Sequence, residues 1–261
     1  MQRKITIAII SILLAVVLAG CDKQPISLSN QGELKILMTD SPAGFDAVNI
    51  VVKSVQVNSA THGWITINDS LRTFNLLSLT NGASVILGDA MLDAGHYTQI
   101  RLILDEGSNV VVNGVTYPLR IPSGLQTGIK LIHEFTLQAD YTYELMLDFD
   151  ANRSINQLGN GTYQMKPVIR IHPVATTGAI TGIVTPIGAG ATVTASAAVD
   201  TAGTNVDTLS GQFRLIALPP ASYTVYFAAW DTTTYRDTAL VNVGVNAGQT
   251  TNVGVVPLPH K

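Results

Sequence analysis

Ala-Val-Asn-Ile-Val-Val-Lys-Ser-Val-Gln-Val, residues 47–57, is the stretch of sequence that decides the fold. Apolar side chains recur at every second position through Val48, Ile50 and Val52, and Asn49 stands on the opposite face. A period of two is typical of a β-strand, because successive side chains point to opposite faces of a sheet. The stretch therefore predicts a strand with one buried face.

The same alternation recurs through the first half of the chain in short runs that turn residues separate. These runs lie at 33–38, 64–67, 97–104, 129–138, 142–149 and 163–171. Between 110–112 and 115–117, Asn113-Gly114 predicts a tight hairpin, because this dipeptide supplies the positive φ angles of a type I′ turn. Only residues 70–79 and 151–158 favour short helical pieces. The pattern predicts an antiparallel β-sandwich over residues 32–173.

After His172-Pro173 the composition shifts to Ala, Thr, Gly and Val, and charged residues become sparse. Strands of five to eight residues alternate here with turn residues, as in small antiparallel sandwiches of Greek-key type. We expect a linker at 174–177 and a second sandwich over 178–258. The predicted fold class is all-β, with two antiparallel β-sandwich domains.

Bulk composition excludes several classes of protein. The chain has 261 residues, of which 13% are charged, and a formal net charge of -3. A nucleic-acid partner is not expected, because a broad basic surface is missing. The single cysteine excludes a disulfide scaffold and a cysteine-rich zinc module. The five histidines lack the spacing of a zinc site, so no metal and no cofactor are predicted from them.

The N-terminus has the features of a targeting signal. Arg3 and Lys4 precede an apolar run over 5–18, which has the length of a signal-peptide core and is too short to span a bilayer. The run ends in Leu18-Ala19-Gly20-Cys21, which resembles the bacterial lipobox. The resemblance implies a signal peptide over 1–20 and acylation of Cys21.

Residues 21–31 are polar and aperiodic, and they read as the lipidated N-terminus and a flexible tether. The expected location is the bacterial cell envelope, with the lipid anchored in a membrane and the chain facing the periplasm or the cell exterior. The choice between inner and outer membrane stays open.

An ordered set of segments resembles a bacterial lipoprotein family catalogued as domain of unknown function 4382. The segments are GELKILMTDSP from Gly32, FDAVNIVVKSVQV from Phe45, FNLLSLTNG from Phe74 and LDAGHYTQIRLIL from Leu92. The resemblance implies an extracytoplasmic all-β lipoprotein domain and no reaction.

The second half resembles the carboxypeptidase regulatory-like, transthyretin-like β-sandwich. The segments are GAITGIVT from Gly178, GATVTA from Gly190 and SGQFRLIALPPASYTVYF from Ser210. This family is often grouped with carbohydrate-binding-like folds, an analogy of architecture alone.

Four aspartates are candidates for chemistry: Asp40, Asp46, Asp148 and Asp150. If they meet at one end of a sandwich, their oxygens suit Ca²⁺, and paired carboxylates also suit acid–base work. The alternative is local, because aspartates at strand ends commonly cap turns. Trp64, Tyr226, Trp230 and Tyr235 are candidates for stacking on a sugar ligand, especially Trp230 and Tyr235 in one loop, and the alternative for them is packing at the core or its rim.

No nucleotide-binding, nucleophile-elbow or metalloprotease motif is present in the sequence. We therefore expect a non-enzymatic lipid-anchored envelope protein that binds an envelope protein or glycan or has a structural role. The alternative is a carbohydrate-binding accessory lipoprotein that uses the second sandwich. A third hypothesis is a Ca²⁺-dependent module or a hydrolase that uses the aspartates.

Overall fold

The alternation of apolar and polar residues is realised as strands along nearly the whole described chain, and the predicted all-β class is confirmed. The structure is a computed structural model that describes residues 30–122, 127–198 and 200–261. The predicted signal peptide and Cys21 lie outside the described residues. No helix in the described ranges is long and apolar enough to cross a bilayer.

The strands are β1 (Gln31–Ser41), β2 (Ala47–Ser59), β3 (Gly63–Asn68), β4 (Arg72–Asn75), β5 (Val85–Asp93), β6 (Gly95–Leu104), β7 (Asn109–Val112), β8 (Val115–Arg120), β9 (Ile129–Leu137), β10 (Thr142–Asp150), β11 (Ile155–Gln157), β12 (Tyr163–Met165), β13 (Ile169–Pro173), β14 (Gly178–Thr185), β15 (Ala191–Ser196), β16 (Thr201–Asn205), β17 (Gln212–Leu218), β18 (Ala221–Ala229), β19 (Thr238–Val245) and β20 (Thr250–Pro257). The described helices are α1 (Ala151–Ser154) and 3₁₀ turns at Leu76–Ser78 and Val174–Thr176.

Strands β1 to β13 build two sheets. Sheet 1 has the order β13-β10-β1-β5, and sheet 2 has the order β11-β12-β8-β7-β2-β6-β9, with β3 and β4 also paired to β2. Apolar side chains from both sheets form one continuous core. Its fully buried members include Leu34, Ile36, Ile50, Ile100, Leu145 and Phe149.

Strands β14 to β20 build two smaller sheets around a second core. Sheet 3 has the order β17-β14-β20, and sheet 4 has the order β16-β15-β18-β19. The fully buried members of this core include Ile180, Val193, Phe213, Val225 and Phe227. Residues Gln31–Lys261 nevertheless pack as one compact unit, so the two cores belong to one body. The division into domains at 173 and 178 stays a prediction.

Most strand pairs are antiparallel, as predicted, but three pairs are parallel: β1 with β10, β8 with β12, and β14 with β20. Parallel neighbours require a long return of the chain, because a tight turn joins only antiparallel strands. The β1–β10 pair is the one that positions the site, since it brings the segment 39–41 beside 148–150.

The predicted hairpin is confirmed. Asn113 (φ 51°) and Gly114 (φ 75°) form the turn, and Val112 pairs with Val115 across it. The predicted helical pieces are largely wrong. Residues 72–75 pair with β2 as β4, and the predicted helix at 151–158 ends after Ser154, where the chain continues as β11. Pairing with a neighbouring strand outweighs the weak helical preference of these short segments.

Gly32 lies where β1 passes directly over the turn that precedes β10. A Cβ atom at this position would lie 2.2 Å from the carbonyl oxygen of Gln138 and 2.9 Å from that of Tyr141. Both atoms are backbone and cannot rotate away, so only glycine fits.

We expect Gly32→Ala to lower the free energy of unfolding by about 2 kcal/mol or more, because the added methyl group must displace backbone. Urea unfolding of this variant against Gly44→Ala measures the effect. The space around a Gly44 Cβ is open, so this control is expected to change stability by less than about 0.5 kcal/mol. Equal losses in the two variants would contradict the steric argument.

Candidate functional site

The outer face of sheet 1 carries ionisable side chains at the place where the second core packs against it. Asp148 on β10 pairs directly with Arg170 on β13, and His172 follows two residues later on the same face. Residues in direct register project to the same side of a sheet, while Phe149, the neighbour of Asp148 on β10, points into the first core. The register of β10 with β13 and the alternation along each strand therefore gather these three groups.

The fourth member comes from the other body of strands. Asp200 lies immediately before β16, in the turn between β15 and β16. The Arg170 guanidinium donates to the Oδ2 of Asp148 and to the Oδ1 of Asp200. The Nε2 of His172 lies 3.2 Å from the Oδ2 of Asp200. We call Asp148, Arg170, His172 and Asp200 the charged joint, since one guanidinium bridges the two cores.

The charged joint is shielded from water. The side chains of Asp148 and Asp200 are each 6% exposed, and those of Arg170 and His172 are about one-fifth exposed. Burial raises the pKa of Asp148 to about 6, although Arg170 opposes the shift. Burial also tends to raise the pKa of Asp200. The contacts of Asp200 with His172 and Arg170 outweigh this effect, so its pKa is lowered.

Asp40 ends β1 beside this group and is 3% exposed. Its Oδ1 accepts a hydrogen bond of 3.0 Å from the backbone N–H of Ala151, and its Oδ2 has no protein partner. Burial raises the pKa of Asp40 to about 8, and the nearby Asp148 carboxylate adds to the shift. Asp40 is thus a neutral, proton-bearing carboxyl at pH 7. It is not an Asx-turn residue, because its side chain joins the start of α1.

Asp150 and Asp46 have separate local roles. The Asp150 carboxylate accepts from the backbone N–H of Arg153 at 2.9 Å and caps α1, as the turn-capping interpretation predicts. The Asp46 Oδ2 accepts from the N–H of Gly114 at 2.7 Å and holds the hairpin. Asp40, Asp148 and Asp150 therefore share one strand end, while Asp46 is engaged at the hairpin.

Within the described ranges no group of three or more His, Cys, Asp or Glu residues is arranged to hold a metal ion. The chemistry of the nearest candidates explains why. A neutral Asp40 is a poor ligand for Ca²⁺, and Asp148 already neutralises a guanidinium. The Ca²⁺ site remains an untested prediction, and this arrangement gives it no support.

A second polar contact joins the two cores. Asn81, in a left-handed conformation (φ 56°), donates its backbone N–H to the Oγ1 of Thr204 at 2.7 Å. Its side-chain Oδ1 accepts from the backbone N–H of Arg214 at 2.7 Å. Asn81, Arg170 and Asp200 were not predicted from the sequence as contact residues. Nothing local distinguishes them, since each has the pattern of an ordinary turn or solvated strand residue.

A cavity of about 540 Å³ lies against the loop 105–109 and the end of β8. The Asp105 Oδ1 accepts from the N–H of Glu106 at 2.8 Å, and the Ser108 hydroxyl accepts from that of Val51 at 3.0 Å. Both side chains therefore already accept hydrogen bonds from backbone N–H groups. The described lining residues contain no His, Cys or Lys.

The predicted aromatic candidates have different environments. Trp230 is 50% exposed at the end of β18, and Tyr226 on the same strand is 51% exposed. Tyr235 packs against the second core, and its ring centroid lies 4.9 Å from that of His260. Trp64 on sheet 2 is covered by the guanidinium of Arg101, which lies 4.1 Å from its ring centroid.

We expect Asp40→Asn to flatten the pH dependence of stability. Between an unfolded pKa near 3.9 and a folded pKa of about 8, the folded chain binds one extra proton. Its free energy of unfolding therefore falls as pH rises, by about 1.4 kcal/mol per pH unit from this group. Asn removes the titration and keeps an oxygen for Ala151.

Urea unfolding at pH 5, 6.5 and 8 checks this prediction. Asp40→Ala should show the same flattening at lower overall stability, because the N–H of Ala151 loses its acceptor. A wild-type slope retained in both variants would show that Asp40 does not carry the proton.

We expect Asp200→Asn to lower the free energy of unfolding at pH 7 by about 2–3 kcal/mol, because Arg170 loses its bridging carboxylate inside a shielded contact. Asp89→Asn, on the exposed side of β5, is the matched control and should change stability by less than about 0.5 kcal/mol. Chemical denaturation compares the two. Equal effects would mean that the bridge does not couple the cores.

Comparison with solved structures gives only weak likenesses. The minor pilin GBS52 of Streptococcus agalactiae is 10% identical with a TM-score of 0.25, over 87% of this chain and 96% of that chain. The shaft pilin spaA from Lactobacillus rhamnosus GG is 11% identical with a TM-score of 0.23, over 88% and 96%. TM-scores this low do not establish a shared fold, and nothing about function follows from them.

The Bacillus anthracis TIE protein is 11% identical with a TM-score of 0.25, over 88% of this chain and 34% of that chain, so this chain spans about a third of its length. Comparison with curated proteins finds no match. The family model for the domain of unknown function (DUF4382) matches residues 31–167, which contain β1 to β12, Asp40 and Asp148. The match covers more than half of the sequence, and the chain belongs to this family.

Proposed function

We propose that the chain is a non-enzymatic, lipid-anchored protein of the bacterial cell envelope with a binding or structural role. The charged joint is the observation that carries this proposal. Among the ion pairs of the described residues, the most shielded ones join members of the charged joint, and they lie at the contact between the two cores. They do not face a cleft that a substrate enters.

The geometry of Asp148 and Asp200 argues against catalysis. A catalytic carboxylate has to reach substrate, and a perturbed pKa indicates an active site chiefly when the group lies in an open cleft. These two side chains are 6% exposed, and both already accept hydrogen bonds from Arg170. Their positions suit a rigid connection between two β-structures, and the hydrolase hypothesis gains nothing from them.

The anchor rests on the sequence before the first strand. Cys21 follows Leu18-Ala19-Gly20 as in a lipobox, and residues 21–31 supply a tether before the body begins at Gln31. Stable anchoring needs more than one acyl chain, which the triacylated cysteine of a lipoprotein provides. The family membership agrees with this location, because the resemblance implies extracytoplasmic lipoproteins.

The second body of strands, residues 178–258, is proposed as a carboxypeptidase regulatory-like sandwich that belongs to the same rigid unit. Its sheets, of three and four strands, suit a small sandwich. A carbohydrate-binding role is the second candidate function, and the exposure of Trp230 favours it over the Ca²⁺ hypothesis.

We expect cells that express the full chain to incorporate a labelled fatty acid into the protein, and Cys21→Ser to abolish the label, because the thiol is the acyl acceptor. Metabolic labelling followed by immunoprecipitation and membrane fractionation checks this prediction. Ser29→Ala, in the tether, is the control and should keep the label. An unlabelled wild-type chain would refute the anchor and leave the charged joint unaffected.

A further inference from the structure

Sheet 4 presents an uncharged outer face that bears two half-exposed aromatic rings. All four of its strands lie in the described part of the chain, and none of them contains Asp, Glu, Lys or Arg. Tyr226 is 51% exposed and Trp230 is 50% exposed. The alternation along β18 places Tyr226 on the outer face, since Val225 and Phe227 beside it are buried. Trp230 follows β18 directly and lies on the same face, because its indole is bonded to Thr192, whose neighbours Ala191 and Val193 are buried.

The ring of Trp230 is fixed with one side covered. A Cβ atom on Gly190 would lie 2.2 Å from the Cε3 of this ring, so the glycine backbone lies directly beneath it. The indole Nε1 donates a hydrogen bond of 3.1 Å to the Oγ1 of Thr192, which fixes the ring orientation. Half of the side chain remains open to solvent. A ring held in this way is a preformed stacking surface that loses little conformational freedom on binding.

The surroundings of the two rings are hydroxyl-bearing. Thr194 pairs directly with Tyr226, Thr192 pairs with Ala228, and Ser196 pairs with Thr224. Tyr226 on β18 and Trp230 just after this strand are four residues apart in the chain. The face therefore offers two ring surfaces with short neutral hydrogen-bonding groups between them.

This chemistry selects a class of ligand. Aromatic rings stack on apolar, flat surfaces, and hydroxyl groups exchange hydrogen bonds with other hydroxyl groups. The strands of this face carry no charged side chain, and the loop after Trp230 adds the exposed Asp231, Arg236 and Asp237, which are net negative. The face therefore gives no net electrostatic attraction to nucleic acids, acidic peptides or anionic glycans. A neutral polysaccharide combines C–H-rich sugar faces with hydroxyl edges, and its length suits two rings in line. We propose that the outer face of sheet 4 binds a neutral polysaccharide through Tyr226 and Trp230.

This proposal rests on the proposed function, since it names the ligand class of an envelope binding protein. It also revises the expected contact residues. Tyr235 is turned toward the second core and His260, so Tyr226 is the partner of Trp230. Trp64 is a natural control, because Arg101 lies over its ring and occupies the stacking surface.

Affinity electrophoresis of the detergent-solubilised full chain tests the proposal. The native gels contain a β-1,4-glucan, a β-1,3-glucan, a galactomannan or a xylan, and polygalacturonate is the charged comparison. We expect retardation by at least one neutral polymer. Trp230→Ala should weaken that binding at least tenfold, and Tyr226→Ala should weaken it severalfold. Trp64→Ala should bind like the wild type.

Thr194→Lys guards against loss of binding through unfolding. It places a long charged side chain beside Tyr226 without removing packed atoms, and it should abolish retardation while the melting temperature stays within about 2 °C of the wild type. Retention of binding in Trp230→Ala and Thr194→Lys would place the ligand elsewhere and overturn the proposal. No retardation in any neutral gel, or retardation by polygalacturonate alone, would also overturn it. Neither result would change the conclusions about the lipid anchor or the charged joint.

Discussion

Arg170 connects the two cores because its planar guanidinium donates to a carboxylate on each side, Asp148 in sheet 1 and Asp200 in the turn before β16. Such a contact specifies geometry more than it adds net stability, since removing charges from water offsets much of their attraction. Separating the two cores would leave an unpaired charge in a shielded place, which is costly. The contact therefore favours one arrangement of the cores.

The neutral state of Asp40 supports this arrangement. If Asp40 were ionised, its charge would repel that of Asp148 across adjacent strands of sheet 1. Burial keeps the proton on Asp40, so Asp148 and Asp200 remain the two anions that Arg170 bridges. The fold therefore places three carboxyls in a small volume with only two negative charges to neutralise.

Local sequence predicts the structural features that depend on residues close together in the chain. The strand at 47–57 and the turn at Asn113-Gly114 follow from side-chain period and backbone preference, so both were predictable. The parallel pairing of β1 with β10 depends on contacts over a hundred residues apart, and it decides that Asp148 is covered rather than solvated. The bridge between Arg170 and Asp200 was unpredictable for the same reason. Trp230 and Tyr226 were both candidates from their residue type, but the packing that leaves these two rings exposed and covers those of Trp64 and Tyr235 required the structure.

The distribution of charge also decides which rings are free. On sheet 2 the guanidinium of Arg101 stacks on the ring of Trp64. This cation–π contact is attractive, and it covers the ring. On sheet 4 the strands supply no cation, so the outer side of Trp230 has no charged strand residue to cover it. The strands of sheet 4 thus leave their outer face to aromatic, aliphatic and hydroxyl groups. The proposed recognition on that face uses stacking and neutral hydrogen bonds, because its strands carry no charged side chain.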